Sequence, residues 1–175
     1  MTDLLVLCTG NAARSVMAGF MLERLRDGRT ADELRIVTAG THTIDGQPMG
    51  MRTRAAMTRI PELADTDFHR HRSRQVHGID LVHADLVVVM EADHVRFVRR
   101  RFPDAAAKTA TIRRLCRDLA PPPAALAERV RALGLADVEV DDEEDVLDPA
   151  GADADVYAAC ADELWELCGR LVTLL

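Results

Sequence analysis

Aromatic residues are scarce in this 175-residue chain: one tryptophan, one tyrosine and four phenylalanines make up 3% of it. That is too few rings for a surface that binds single-stranded nucleic acid by stacking. Positive charge is short as well. Twenty-two lysines and arginines face 29 acidic residues, and the net charge of −7 argues against general nucleic-acid affinity and for a soluble protein. Two basic clusters, His69-Arg70-His71-Arg72-Ser73-Arg74 and Arg99-Arg100-Arg101, lack interleaved aromatics and a nucleic-acid motif. They read as solvated faces or a docking surface for an acidic substrate. No apolar run approaches the roughly twenty residues that cross a bilayer. The chain opens into a strand with no charged leader, so neither secretion nor a membrane partner is expected. The four cysteines, Cys8, Cys116, Cys160 and Cys168, are scattered, and their spacing fits neither a disulfide framework nor a zinc site. A reducing, cytoplasmic setting is expected. His69 and His71 lie close together but lack a third ligand, so no metal and no cofactor is expected. The oligomeric state is left open.

What is present alternates. Apolar Leu4-Leu5-Val6-Leu7 reads as a strand, followed by a helix with Met17, Met21 and Leu25 on one face. Leu34 to Ala39 reads as a second strand closed by Gly40, and Met51 to Arg59 as a helix. Leu86 to Met90 is continuously apolar, as a strand buried on both faces must be. Asp93 to Arg101 reads as a helix, and Thr109 to Ile112 as a short fourth strand. After Pro121-Pro122-Pro123, a short helix is expected from Ala124 to Leu133. A terminal helix follows from Asp153, the expected N-cap, to Leu171, with Cys160 and Cys168 on its apolar face as core thiols. The pattern predicts one α/β domain over residues 1–175. It is a three-layer sandwich, a central four-stranded parallel sheet with helices on both faces.

Ligands of such sheets bind beyond the carboxyl ends of the strands. Cys8-Thr9-Gly10-Asn11-Ala12-Ala13-Arg14-Ser15 lies there, between the first strand and its helix. Free amides and the positive end of a helix dipole converge at such a turn, which suits an anion and favours thiolate over thiol. Arg14 adds a planar fork of donors for a tetrahedral oxyanion, and Ser15 can donate to the sulfur. Gly10 and Asn11 permit the left-handed backbone of an anion nest. In isolation, Cys-(x)5-Arg reads equally as a buried hydrophobe and a surface arginine. The loop needs a partner acid, because a departing alkoxide or phenoxide must be protonated. Asp148, held extended by Pro149, is the candidate, though an Asp-Pro pair is also an ordinary turn. The acidic run from Asp141 to Asp145 reads as a solvated face that, folded close by, would raise the pKa of Asp148.

The loop from Cys8 to Ser15 resembles the active-site loop of the low-molecular-weight protein tyrosine phosphatases. Thr38-Ala39-Gly40-Thr41, His71-Arg72-Ser73-Arg74-Gln75, Ala84 to Met90 and Asp148-Pro149 resemble further segments of that family, in order. The resemblance implies a phosphatase acting on a phosphorylated protein or small aryl phosphate. Cys8 would form a phosphocysteine, Arg14 and the backbone from Thr9 through Gly10, Asn11, Ala12 and Ala13 to Ser15 would bind the phosphoryl oxygens, and Asp148 would be the acid and then the base. Asn11, Ser15, Thr38 and His71 match positions that brace the loop. The chain departs from the family at Ala13, where relatives often carry a second cysteine. It departs again at His42-Thr43-Ile44 and Ala150-Gly151, where phosphotyrosine-specific members place aromatics. His42 is then the planar group expected at the substrate. Two alternatives follow: an arsenate reductase drawing on a small-molecule thiol, since Met90 stands where relay types keep a cysteine, or a phosphate-binding module without turnover.

Overall fold

The computed structural model describes residues 1–26 and 33–175. Four strands, β1 (Thr2–Cys8), β2 (Leu34–Gly40), β3 (Leu86–Val89) and β4 (Thr109–Thr111), form one parallel sheet in the order β2-β1-β3-β4. The central strands are apolar on both sides because both sides are covered. Leu4, Val6 and Cys8 of β1, with Leu86, Val88 and Met90, pack on one core. Its other wall comes from α1 (Arg14–Leu25), α2 (Met51–Thr58), α5 (Ile112–Asp118) and α7 (Ala154–Leu174). Leu5, Leu7, Val87 and Val89 face the second core, against α3 (Gly78–His83) and α4 (Ala92–Arg101). The sandwich is the one the alternation of strands and helices predicts.

Element ends differ from the sequence reading where a side chain makes the boundary. The fourth strand stops at Thr111, whose hydroxyl accepts from the amide of Arg114 and starts α5, so Ile112 is helical. Asp153 occupies the N-cap position of α7 but its side chain makes no capping bond. The short α3 was not foreseen, because six residues with one buried side chain, Leu81, show no period. The segment before the acid loop contributes α6 (Leu126–Ala132) and a buried Arg129. Its guanidinium donates to the carbonyls of Ala120 (2.8 Å), Ala124 (2.7 Å) and Leu174 (2.5 Å), satisfying a terminal carbonyl of α7.

The register sets the position of the site. Leu7 lies between Ala39 and Val89, and Cys8 pairs with Gly40 on β2 alone. The chain runs from β1 to one side for β2 and returns to the other for β3. Cys8 therefore opens onto the crevice at the carboxyl edge where the strand order reverses.

Candidate active site

Between Cys8 and Arg14 the backbone makes a closed turn whose carbonyls all bond outward. The carbonyl of Cys8 accepts from the amide of Thr41 (2.9 Å), that of Thr9 from His42 (2.9 Å) and that of Ala13 from Met17 (2.8 Å). Gly10 accepts from the Thr43 hydroxyl (2.7 Å), Ala12 from the Thr53 hydroxyl (3.0 Å) and Asn11 from Nε2 of His71 (3.0 Å). In a trans peptide the N–H points opposite the preceding C=O. The amides of residues 9–14 consequently face the interior of the turn, a nest for an anion. Ala13, at the N-cap of α1, brings no capping side chain to compete for the first-turn amides.

Asn11 is the pivot. It is fully buried and has φ of 46°, the one non-glycine residue in the left-handed region among the described residues. Gly10, which also permits that conformation, does not adopt it. Asparagine tolerates the region better than bulkier residues. Its Nδ2 donates to Ser15 Oγ (3.1 Å) and Thr38 Oγ1 (3.0 Å), and its Oδ1 accepts from the amide of Arg74 (3.0 Å). With Ser15 Oγ accepting from Asn11, the serine hydrogen is free for Cys8 Sγ, 2.9 Å away. Burial lowers the pKa of His71 against the effect of its bond to Asn11, with Arg72 adding to the lowering; the neutral ring donates to the Asn11 carbonyl. His69 is exposed and lies against Arg54 (3.4 Å), so the two histidines do not converge.

Gly40 holds the nest from the β2 side. A methyl group there would stand 2.6 Å from the Thr9 carbonyl oxygen and 3.1 Å from the Asn11 amide nitrogen. Gly40→Ala is expected to shift the loop backbone and lower kcat on an aryl phosphate by about 10²-fold, since displacements near 1 Å have that effect. Far-ultraviolet circular dichroism should show the fold retained, and steady-state kinetics checks the loss.

Arg14 is 1% exposed. One terminal nitrogen donates to Glu91 Oε2 (2.5 Å) and the Val146 carbonyl (3.0 Å), the other to Asp148 Oδ2 (2.7 Å). Burial works against its charge, but the bond to Glu91 and the charges of Asp148 and Glu91 outweigh it and raise its pKa. Arg14 and Asp148 thus meet, with Cys8 near enough for its charge to act on Arg14 and Asp148 half-exposed. The acid loop is tied to the sheet: the Val146 amide donates to the Met90 carbonyl (2.8 Å), and the Ala92 amide to Asp145 (2.6 Å). The acidic run, which reads as a solvated face, is partly tied up in ion pairs away from Asp148. Glu144 is buried against Arg114, Arg117 and Thr111, and Asp142 pairs with Arg96. The charge on Asp148 instead meets Arg14.

Two residues of this site, Glu91 and His94, escaped the sequence reading. Glu91 sits two residues past β3, the strand beside β1, and carboxyl-end positions of neighbouring strands are where such residues belong. His94 follows one helical turn later and approaches Thr9 (3.0 Å). At the rim, His42 is exposed, but it is not the isolated planar group expected. The ring of Phe97 on α4 packs edge-on against it at 5.4 Å, and Phe102 continues the row. Ile44 and Leu147 are exposed apolar side chains on the two loops that border the site. Cys116, Cys160 and Cys168 are free, buried core thiols, and burial raises all three, Cys160 to about 12.

The family model for low molecular weight phosphotyrosine protein phosphatase matches residues 3–121. A protein-arginine-phosphatase of Geobacillus stearothermophilus is 26% identical over 172 residues, 98% of this chain and 95% of that protein. A probable low molecular weight protein-tyrosine-phosphatase of Ralstonia nicotianae is 30% identical over 112 residues, 64% of this chain and 69% of its own. Among solved structures, a low molecular weight protein tyrosine phosphatase from T. tengcongensis superposes with a TM-score of 0.75 at 26% identity, covering all of both chains. With its cysteine at the end of β1 inside an arginine-closed amide nest, the chain belongs to the low molecular weight phosphotyrosine protein phosphatase family and is a cysteine-dependent phosphatase of the protein-tyrosine-phosphatase type.

Proposed function

We propose that this phosphatase acts on phosphorylated protein side chains through a phosphocysteine on Cys8. The carrying observation is the turn whose carbonyls from Cys8 to Ala13 all bond outward, leaving the inward amides around the sulfur and Arg14. In the first step the thiolate of Cys8 attacks phosphorus. The S–P bond forms as the bond to the leaving atom breaks, and protonated Asp148 gives that atom its proton. In the second step the Asp148 carboxylate takes a proton from water, which attacks phosphorus and releases phosphate and the thiolate. Arg14 and the loop amides hold the equatorial oxygens as charge redistributes. Ser15 donates to the sulfur, and Asn11, Thr38 and His71 keep the loop in shape. A reducing cytoplasm is the setting such a thiolate requires.

The rim bears on the substrate. His42 on Phe97, with Ile44 and Leu147, offers no tyrosine or tryptophan wall for a phenyl ring. Losing each aromatic wall forgoes about 0.5–1.5 kcal/mol of stacking. A phosphoguanidinium side chain asks for no such wall, and the relative that spans 98% of this chain is a protein-arginine-phosphatase. Phosphoarginine is accordingly the second reading of the substrate. Phosphate release should be measured from a phosphotyrosine peptide, a phosphoarginine peptide and an aryl phosphate, with arsenite formation from arsenate and a small thiol measured in parallel. The proposal expects phosphate release, and the ratio of kcat/KM between the two peptides decides the leaving atom. Arsenite formation without phosphate release would replace it with the reductase reading.

A further inference from the structure

His94 is 2% exposed and lies on the first turn of α4, three residues after Glu91. Its Nε2 is 3.2 Å from Glu91 Oε1 and 3.0 Å from Thr9 Oγ1. Its Nδ1 is buried and meets no hydrogen-bond partner among the described residues. Burial, reinforced by the charge of Arg14, pushes its pKa down to about 3. The ring is therefore neutral at neutral pH and carries a single N–H. Nδ1 has no acceptor, so the hydrogen belongs to Nε2, where Thr9 Oγ1 accepts it and the Glu91 carboxylate lies beside it. The contact with Glu91 is the 3.2 Å approach of a neutral imidazole, not an ion pair, and the hydrogen bond of Nε2 is the one to Thr9.

That tautomer constrains Thr9. Once Nε2 bears the hydrogen it has no lone pair to offer, and the threonine hydroxyl cannot donate to it. Thr9 Oγ1 must accept, and its own hydrogen must point elsewhere. Thr9 directly follows the nucleophile, and its amide is one of those that face inward.

We infer that His94 is a positioning residue: its Nε2–H fixes the Thr9 hydroxyl so that the hydroxyl hydrogen turns into the anion nest, adding a side-chain donor to the ring of amides. The inference rests on the phosphocysteine reading, since it needs a phosphoryl group in the nest. One carboxylate borders both groups, because Glu91 Oε1 lies 3.2 Å from His94 Nε2 while Oε2 accepts from Arg14. The opposite tautomer would set a lone pair against that carboxylate and leave a buried N–H unpaired at Nδ1, so the dry side of the ring enforces the orientation.

The test joins spectroscopy on the wild-type protein with a double-mutant cycle. Nitrogen-15 NMR of the His94 imidazole should show the neutral Nε2–H form between about pH 5 and 8, where an ordinary histidine titrates. On an aryl phosphate, His94→Phe should lower kcat about tenfold with KM little changed, as loss of a well-set transition-state donor does. His94→Gln, whose amide can reach the same place, should recover most of that loss. In a Thr9→Val background, His94→Phe should cost less than about twofold, because the hydroxyl it orients is gone. An Nδ1–H tautomer, an imidazolium, or equal losses in both backgrounds would overturn the inference. An inactive wild-type protein would instead overturn the reading on which it rests.

Discussion

Cys8→Ser is expected to reduce phosphate release from an aryl phosphate by roughly 10⁴-fold or more, the scale on which removing a covalent nucleophile acts. The substitution replaces one atom at a residue that is 3% exposed and already hydrogen-bonded to Ser15, so the loop has no steric reason to move. A serine hydroxyl is the weaker nucleophile and has no adjacent base to activate it. No other thiol can substitute. Cys116, Cys160 and Cys168 are buried in the core between α1, α5 and α7, with burial favouring their protonated forms. Binding of inorganic phosphate, measured by calorimetry, should survive in the variant because the amides and Arg14 remain. Activity within tenfold of wild type would contradict the assignment of the nucleophile.

Arg14→Lys should have the next largest effect, lowering kcat by roughly 10³-fold, as removal of an arginine that stabilises transferring phosphoryl charge does. The charge is conserved, so the loss isolates geometry. The guanidinium reaches Glu91, the Val146 carbonyl and Asp148 from two terminal nitrogens at once, each within 3.0 Å. An ammonium is a compact point charge and cannot span that fork. The variant should also melt at a lower temperature, because Glu91 would lose its 2.5 Å partner in a part-buried setting. Activity and stability separate if phosphate affinity and kcat are measured well below the melting transition. A kcat close to wild type there would mean that a positive charge alone suffices.

The parts of the site visible in the sequence are those confined to a short stretch of chain. The strand, the loop from Cys8 to Ser15 and the helix that follows are adjacent, so apolar period and residue type single out Cys8 and Arg14. Asp148 is legible as an Asp-Pro just before the terminal helix, and Thr38 and His71 by resemblance alone. Glu91 and His94 were not legible, because what gives them meaning is distance in the fold: Glu91 is 77 residues from Arg14, and His94 is 85 from Thr9. Their own segment reads as the start of an ordinary helix. Phe97 was missed for a related reason, since a helical aromatic gives no sign that it reaches a loop fifty-odd residues earlier to pack on His42. The acidic run misled in the opposite direction. Its composition announces a solvated face, yet Glu144 is the buried hub of Arg114, Arg117 and Thr111. Two loop residues, Gly10 and Asn11, permit left-handed backbone, and Asn11 adopts it, where four hydrogen bonds hold it.

Acid-quenched turnover followed by peptide mass spectrometry tests the covalent step most directly. During hydrolysis of an aryl phosphate, the peptide containing Cys8 should carry one phosphoryl group on sulfur, and that group should persist longer in Asp148→Asn, which cannot activate water. Phosphate release with Cys8 unmodified at every quench time, or a phosphoryl group found on another residue, would contradict it.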